Sequence, residues 1–593
     1  MTSISVTPTG ISVPPGTNQQ FTATGRFSDG STQDLTNSVV WTSLNTSAAT
    51  ISSSGMATGV AIGIAAMQAS QSGVTGATNF TVNATQAAET VLTYHNDLAR
   101  TGQDLTETKL TLANANVNSF GKVFTVAVDG AIYAQPLYVP RVGVAGHGTH
   151  NVVYAGTEND TMFAFDADAS GAALWTTSLL GAGESAVTPN EVFGCGDLAP
   201  LIGITGTPVI DPQTDILFVV AKSKKGSGNG ATIFQRLYAL DISSGKELAG
   251  SPVEITATVP GTGEGGNNVT FNAQSQQNRA ALALVNGVVY ASFGSHCDQG
   301  TYHGWLFAFD AATLAQRAVL NVSPNGSEAA IWQAGAAPSA DANNNIFAVT
   351  GNGTFDANIG GPDYGDSMVK LTLSGSALPV NDFFTPFNQQ ALNDQDQDLG
   401  SAAAVLLPDS TGNGQHRHLL VGGGKGGTLY LVDRDNMGKF SAIVDSSIQS
   451  IPGAIGNNGG GAQSYSTAAY FNGALYFAGV HDTLKQFSIA NATISTQPIF
   501  QSSTVFGFPG ATSSISADGT SNGIVWTTEF TGGAAILHAY NAGDVSLELY
   551  NTNQAPGNRD LAHVSVKFSV PTVANGKVYI GTQDHLDVFG LLH

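Results

Sequence analysis

Charge is what this 593-residue sequence is shortest of: Lys, Arg, Asp and Glu together make up 11% of it, with 21 basic residues against 43 acidic ones. The net charge of −22 comes without any Lys/Arg cluster, which argues against a nucleic-acid partner and against an anionic membrane surface. No apolar run approaches the roughly 18 residues needed to cross a bilayer as a helix, so no membrane span is expected. No CxxCH haem motif occurs, and no signal-peptide pattern opens the chain at Met1. Because the composition is that of secreted surface proteins, an export signal is expected to have been removed. Disorder is excluded as well, since 42% of the residues are hydrophobic.

What the sequence does have is 71 glycines and a hairpin that keeps returning. In NVVYAGTENDTMFAFDA (151–167), a β-branched and aromatic run, Val152-Val153-Tyr154, is followed by a polar turn and a second run that closes on Asp166. Two short strands around a polar turn read as a β-hairpin. The same ending recurs as LYALD at Asp241, LFAFD at Asp310 and LYLVD at Asp433. Weaker copies end at Ser488, Asn541 and Gly590, and a degenerate one, MVKLT, ends at Thr372. Self-similarity at such a period marks a propeller. An inner strand is expected ahead of each hairpin: 133–140, 204–211, 279–285, 336–342, 401–409, 465–471, 512–519 and 568–576. That makes eight blades. The last copy supplies three strands, and GKVFTVAV (121–128) is expected to complete it, which closes the ring and removes its exposed edges.

Residues 1–84 alternate as short strands separated by turn residues, the spacing of a β-sandwich. The stretches FTATGRFSDGSTQDLT and VVWTSLNTSAATISSSGMATG resemble the bacterial immunoglobulin-like group 2 domain, and Trp41 is expected in its core. The resemblance implies a spacer or adhesion module on an exported protein. Residues 85–118 read as a linker and an irregular entry in which Asp97 and Arg100 are structural pins. The repeat over 119–593, together with YHNDLARTGQ at 94–103, resembles the PQQ-like, quinoprotein alcohol dehydrogenase-like eight-bladed β-propeller family. The expected fold is therefore all-β: a sandwich of 1–84 followed by a propeller.

In a propeller, the loops entering the inner strands and the second hairpin turn of each blade open on one face, which sorts the candidate residues. The densest patch, GSHCDQGTYHGW (294–305), offers His296, Asp298 and His303 as an acid/base or metal set; tying down a long loop is the competing reading. Cys195 and Cys297 fall on that face in neighbouring blades. A disulfide suits an exported protein, and a Cys–His nucleophile with His296 is the lesser reading. NGTFDANIGGPDYGD (352–366) carries Asp356, Asp363 and Asp366 on a Gly-rich turn whose oxygens suit calcium, without EF-hand spacing. The family resemblance implies a planar tricarboxylate quinone, PQQ, held with Ca²⁺. Arg279, Lys425 and His563 are the cations offered to its carboxylates, and Trp332 or Trp305 the ring to stack on it.

Three functions follow as expectations. One is an exported quinoprotein-type oxidoreductase acting on a sugar or alcohol. Another is a non-catalytic, cell-surface or extracellular propeller binding a glycan or protein. The third is a polysaccharide hydrolase or lyase using His296 and His303. A monomer with a small-molecule or glycan ligand at the propeller face is expected in each case.

Overall fold

The computed structural model describes residues 1–8, 11–13, 18–61, 63–82, 89–459 and 461–592. The chain forms two compact units, Met1–Glu89 and Thr90–His593. The expected boundary at 84/85 lies outside the described residues.

The first unit is a β-sandwich of short strands. Its longest pair, Gly63–Gln71 and Val74–Val82, is an antiparallel hairpin with Val40–Ser43 on one side and Ile11–Val13, running parallel, on the other. Alternation along Gly63–Gln71 turns Ala65, Met67 and Ala69 inward. They meet Trp41 and an edge-to-face pair of rings, Phe21 and Phe80, whose centroids are 5.6 Å apart. The Trp41 indole is buried, and its Nε1 donates to the Thr36 carbonyl at 2.8 Å, which satisfies its one polar atom.

The second unit is the eight-bladed propeller. Blade one runs from the axis outward as Leu137–Val144, Gly148–Gly156, Thr161–Asp166 and Trp175–Ser178. Its two middle strands are buried on both faces over 152–156 and 161–165 because neighbouring blades pack against them. This is why they read as continuous apolar runs rather than alternating ones. The seven other blades repeat the plan. The MVKLT copy is a full third strand of blade four, Met368–Thr372, with Thr372 paired to Asn345. Its Lys370 interrupts the sequence signal; the register with the second strand runs on unbroken past it, while the register with the outer strand shifts between Lys370 and Leu371. Blade eight holds Thr572–Ala574, Lys577–Gly581 and His585–Leu591, and its outer strand is Phe120–Ala127, antiparallel from Phe120↔Leu591 to Ala127↔His585. The two ends of the propeller unit are thus hydrogen-bonded in one sheet.

Small side chains open the inner strands because eight of them converge on one axis. Ala281, Ala336, Ala337, Ala403 and Val570 pack there around the Tyr94 ring. The entry segment, irregular in its dihedrals, is regular in its partners. Residues 91–107 run as a belt around the face opposite the inner-strand entry loops. Val91 pairs with Tyr138 of blade one, and Leu92 O accepts from Ile210 of blade two. Leu98, Ala99, Thr101 and Gly102 carbonyls then accept in turn from Ala340, Leu406, Tyr470 and Ile515 of blades four to seven. Glu107 completes the circuit by accepting the Gly576 amide of blade eight at 2.6 Å. Arg100, fully buried, donates to Pro338 O through both Nε and Nη2, and through Nη1 to Thr93 Oγ1 and the Tyr94 and Asp97 carbonyls. Asp97 in turn accepts the Thr101 amide and hydroxyl.

Candidate functional site

The entry loops and second hairpin turns open at one end of the axis around a cavity of about 200 Å³. Entry loops bring Asp197, Arg279, Trp332, Asp398, Tyr465, Phe508, Lys567 and Phe568; the turns of blades three and five bring Asp298, Cys297 and Lys425. These loops and turns hold strained backbone. Cys297 (φ 49°), Asp298 (51°), Gln333 (46°), Ala334 (49°) and Phe568 (63°) all hold left-handed conformations, each at a cost that surrounding structure has to offset. For Gln333 that support is visible: its Oε1 accepts the Val349 amide and its Nε2 donates to Ala336 O, both at 2.9 Å. The pair fixes the backbone beside Trp332.

Two kinds of surface line the cavity. One is a cluster of rings: Trp332 lies 5.9 Å from Tyr465 and 6.4 Å from Phe568, and Tyr465 lies 5.6 Å from Phe568 and 5.5 Å from Phe508. The other is charge that is already paired. Asp197 receives Arg279 Nη2 at 2.8 Å and Lys567 Nζ at 2.5 Å. Lys425 Nζ lies 2.5 Å from Asp398 and 2.8 Å from Asp396. Arg279 also sits 4.8 Å above the Phe568 ring, and Lys425 sits 5.8 Å from the Trp332 ring. Burial pushes the Asp197 carboxyl up, but the Arg279 and Lys567 charges outweigh it and hold the group well below the usual range. At Asp398 burial wins: its carboxyl is raised despite Lys425 beside it.

Of the residues singled out in the sequence, Arg279, Trp332, Lys425 and Asp298 line this cavity. Cys297 does too, and its sulfur is bonded to that of Cys195. His296 and His303 do not line it. Both are buried, His296 with Nε2 2.6 Å from Lys222 Nζ and His303 with Nδ1 3.0 Å from Ser323 O. Burial, reinforced at His296 by the Lys222 charge, keeps both rings neutral. Asp298 hydrogen-bonds to Ser295 instead, so each member of the expected acid/base set has a separate partner. His563 is stacked on His585, centroids 3.6 Å apart, with Nδ1 on Asp587. Trp305 is fully buried in its strand against Phe271 and Phe307, so of the two rings offered for stacking Trp332 lines the cavity and Trp305 does not. Asp356, Asp363 and Asp366 diverge as well. Asp356 accepts the Asp363 amide, Asp363 accepts the Asn325 amide, and Asp366 accepts the Leu399 amide. Among the described residues no group of three or more His, Cys, Asp or Glu is disposed to hold a metal ion.

Sequence reading missed Asp197 as the counter-ion and Tyr465, Phe508, Lys567 and Phe568 as lining. The available signal was positional: Tyr133, Arg279, Tyr465 and Phe568 each open an inner-strand segment, where a bulky residue precedes the small ones at the axis.

Residues 1–82 match the bacterial Ig-like domain (group 2). Over 82 residues the chain is 44% identical to Ice-binding protein 1 of Shewanella frigidimarina (strain NCIMB 400), a match covering 14% of this chain and 9% of that protein. The chain thus spans less than a tenth of the curated relative it matches. The solved structure of a europium-containing methanol dehydrogenase superposes with a TM-score of 0.54 at 11% identity, over 85% of this chain and 98% of that one; the likeness is one of fold.

A tricarboxylate quinone does not fit the charge balance of this cavity. Arg279, Lys425 and Lys567 are matched by Asp197, Asp298 and Asp398 in the lining itself, with Asp396 a further negative charge on Lys425. No cation is left over to meet three added carboxylates.

Proposed function

We propose that this chain is an exported, carbohydrate-binding propeller that takes a neutral sugar unit in its axial cavity. The observation that carries the reading is the juxtaposition of an aromatic cluster with charges cancelled in pairs. A sugar ring offers an apolar face for Trp332 and Tyr465, and hydroxyls that both donate and accept for the Asp197–Arg279 and Asp398–Lys425 pairs. Because those pairs carry no surplus charge, a neutral polar ligand is favoured over a polyanion. The cavity's size suits one small ligand rather than a drug-sized one. The Ig-like domain, of a kind this chain shares with an ice-binding protein, and the disulfide both support export.

A glycan array followed by titration calorimetry tests the reading. Trp332→Ala is expected to weaken the best saccharide by at least about tenfold with the melting temperature unchanged. An array without hits, or a Trp332→Ala variant binding as the parent does, refutes it.

Oxidation of a sugar or alcohol is the second reading, favoured by the fold likeness and by Asp398, a buried lining carboxylate of raised pKa suited to accepting a proton. Incubation with PQQ and Ca²⁺ or Eu³⁺, then dye reduction over a sugar and alcohol panel, decides between the two. Turnover would displace the binding reading.

A further inference from the structure

A second cavity, of about 450 Å³, opens on the opposite face of the propeller. Its walls are the belt at Asp97–Gln103, the first hairpin turns of blades four and five, and the turn that follows LYLVD in blade five. That last turn departs from the repeat. The final residue of this motif pairs with a residue of the second strand, Asp166 with Val152, Asp241 with Ile216 and Asp433 with Leu419, and the amide that follows it donates to the carbonyl just before that partner, as from Ala167 to Asn151, Ile242 to Asp215 and Arg434 to His418. The next position is thereby equivalent around the ring. It is aliphatic in seven blades, as at Ala167, Ile242, Leu373 and Ile489. In blade five it is Arg434.

Arg434 is 8% exposed and lines the cavity. Its Nε is buried without a hydrogen-bond acceptor, and its guanidinium reaches one carbonyl, Leu407 O, at 3.5 Å. The nearby carboxylates are engaged elsewhere. Asp341 accepts the Asn343 and Asn345 amides, Asp409 accepts Arg417 Nε, and Asp435 is paired with His418 Nδ1. A buried guanidinium without its complement is costly, and seven blades show that the fold is served by an aliphatic side chain here.

We propose that this cavity binds a zwitterion carrying one carboxylate and one ammonium, that is, a free amino acid. The planar donor fork of Arg434 is complementary to a carboxylate. The cavity as a whole is not an anion site. Asp97, Asp341, Asp409 and Asp435 outnumber Lys370 and Arg434 four to two, so a carboxylate is accepted in company with a positive group that faces the acidic wall. The reading is independent of what the axial cavity holds.

The test is calorimetry on the whole chain with the common α-amino acids and short ω-amino acids, using acetate, ethylammonium and sulfate as part-ligand controls. At least one amino acid is expected to bind one-to-one, with acetate and ethylammonium at least about tenfold weaker. Arg434→Met, which installs the kind of side chain the other blades use, is expected to abolish that binding with the melting temperature unchanged or raised. Saccharide binding at the axial cavity should be untouched. Should the Met variant fold poorly, Arg434→Lys keeps the charge and loses the fork, and is expected to weaken binding by at least about tenfold. No binding across the panel, an Arg434 variant that binds as the parent does, or sulfate or acetate binding as tightly as any amino acid would overturn the proposal.

Discussion

The Cys195–Cys297 bond closes 102 residues of chain, and its removal has a calculable ceiling. With the chain-entropy relation, a loop of that length costs the unfolded ensemble about 16 cal/mol/K, or about 4.7 kcal/mol at 25 °C. The full amount is not expected in the native state. Cys195 is also held by its neighbours Val192, Leu198 and Ile202, and its amide donates to Val192 O at 3.0 Å, so the loop stays partly ordered when the bond is cut. An effect of about 2–4 kcal/mol is the expectation. The larger consequence is at the axial cavity. Asp197, two residues beyond Cys195, holds both Arg279 and Lys567, and Cys297 itself lines the wall. The double variant Cys195→Ser/Cys297→Ser should lower the urea midpoint, speed amide exchange in peptides covering 192–198 and 294–303, and weaken saccharide binding. A double variant within about 0.5 kcal/mol of the parent, with unchanged exchange in both peptides, would refute the claim that this bond holds the mouth in shape.

Arg100→Leu strips the donors from the Pro338, Tyr94 and Asp97 carbonyls; at about 1–3 kcal/mol for each buried acceptor left unpaired, a loss of at least about 3 kcal/mol is expected. Exchange should quicken at the Ala340, Leu406, Tyr470 and Ile515 amides, and unchanged protection there would contradict the belt. Lys425→Met leaves Asp398 buried without its cation and should cost about 3–5 kcal/mol, most of it recovered in Lys425→Met/Asp398→Leu; a double variant no better than the single would show that the pair is not coupled. Glu158 supplies a pH test: burial pushes its carboxyl up to about 7 from 4.5. The folded state therefore holds that proton more tightly than the unfolded chain does. The stability it contributes is complete below pH 4.5 and is lost as pH rises through 7, by up to about 3 kcal/mol. Glu158→Gln should flatten that slope in urea titrations between pH 5 and 8, and an unaltered slope would place the titrating group elsewhere.

The ring was legible because a repeat supplies its own control. Eight hairpins of one plan predict eight inner strands, and a final copy one strand short calls for a partner from the other end. The belt was not legible. Its hydrogen bonds go to one strand after another around the axis, so residues 91–107 carry neither a period of two nor one of 3.6. The mouth was half legible. Lys425 and Trp332 stand out as charge or bulk in loops and Arg279 as a lone charge at the head of an apolar segment, whereas Tyr465 and Phe568 open strand segments and pass for strand residues. His563 was misjudged for the opposite reason: a histidine in an entry loop looks available, but its Nδ1 is taken by the buried Asp587 and its face by His585. The acidic turn at 352–366 read as a cation site, but its carboxylates accept backbone amides, Asp356 that of Asp363 within the turn and Asp363 that of Asn325 on a neighbouring loop.

A propeller offers a comparison that most folds lack, because each position is sampled eight times in nearly one environment. Where the copies agree, the residue serves packing, as the aliphatic side chains after the third strand do. Where one copy carries a costlier residue than its siblings, packing is not the reason, since seven cheaper solutions to the same problem are present in the same molecule. Both cavities lie at such departures. At the mouth, rings and an arginine open inner strands that small residues suffice to build, and they bring left-handed backbone at Gln333, Ala334 and Phe568 with them. Below the belt, a guanidinium occupies an aliphatic site with its Nε unpaired. The two departures differ in sign. The mouth sets a carboxylate beside every cation it introduces, and the lower cavity leaves one cation uncompensated among carboxylates that are already engaged. A neutral ligand above and a zwitterionic one below follow from that difference.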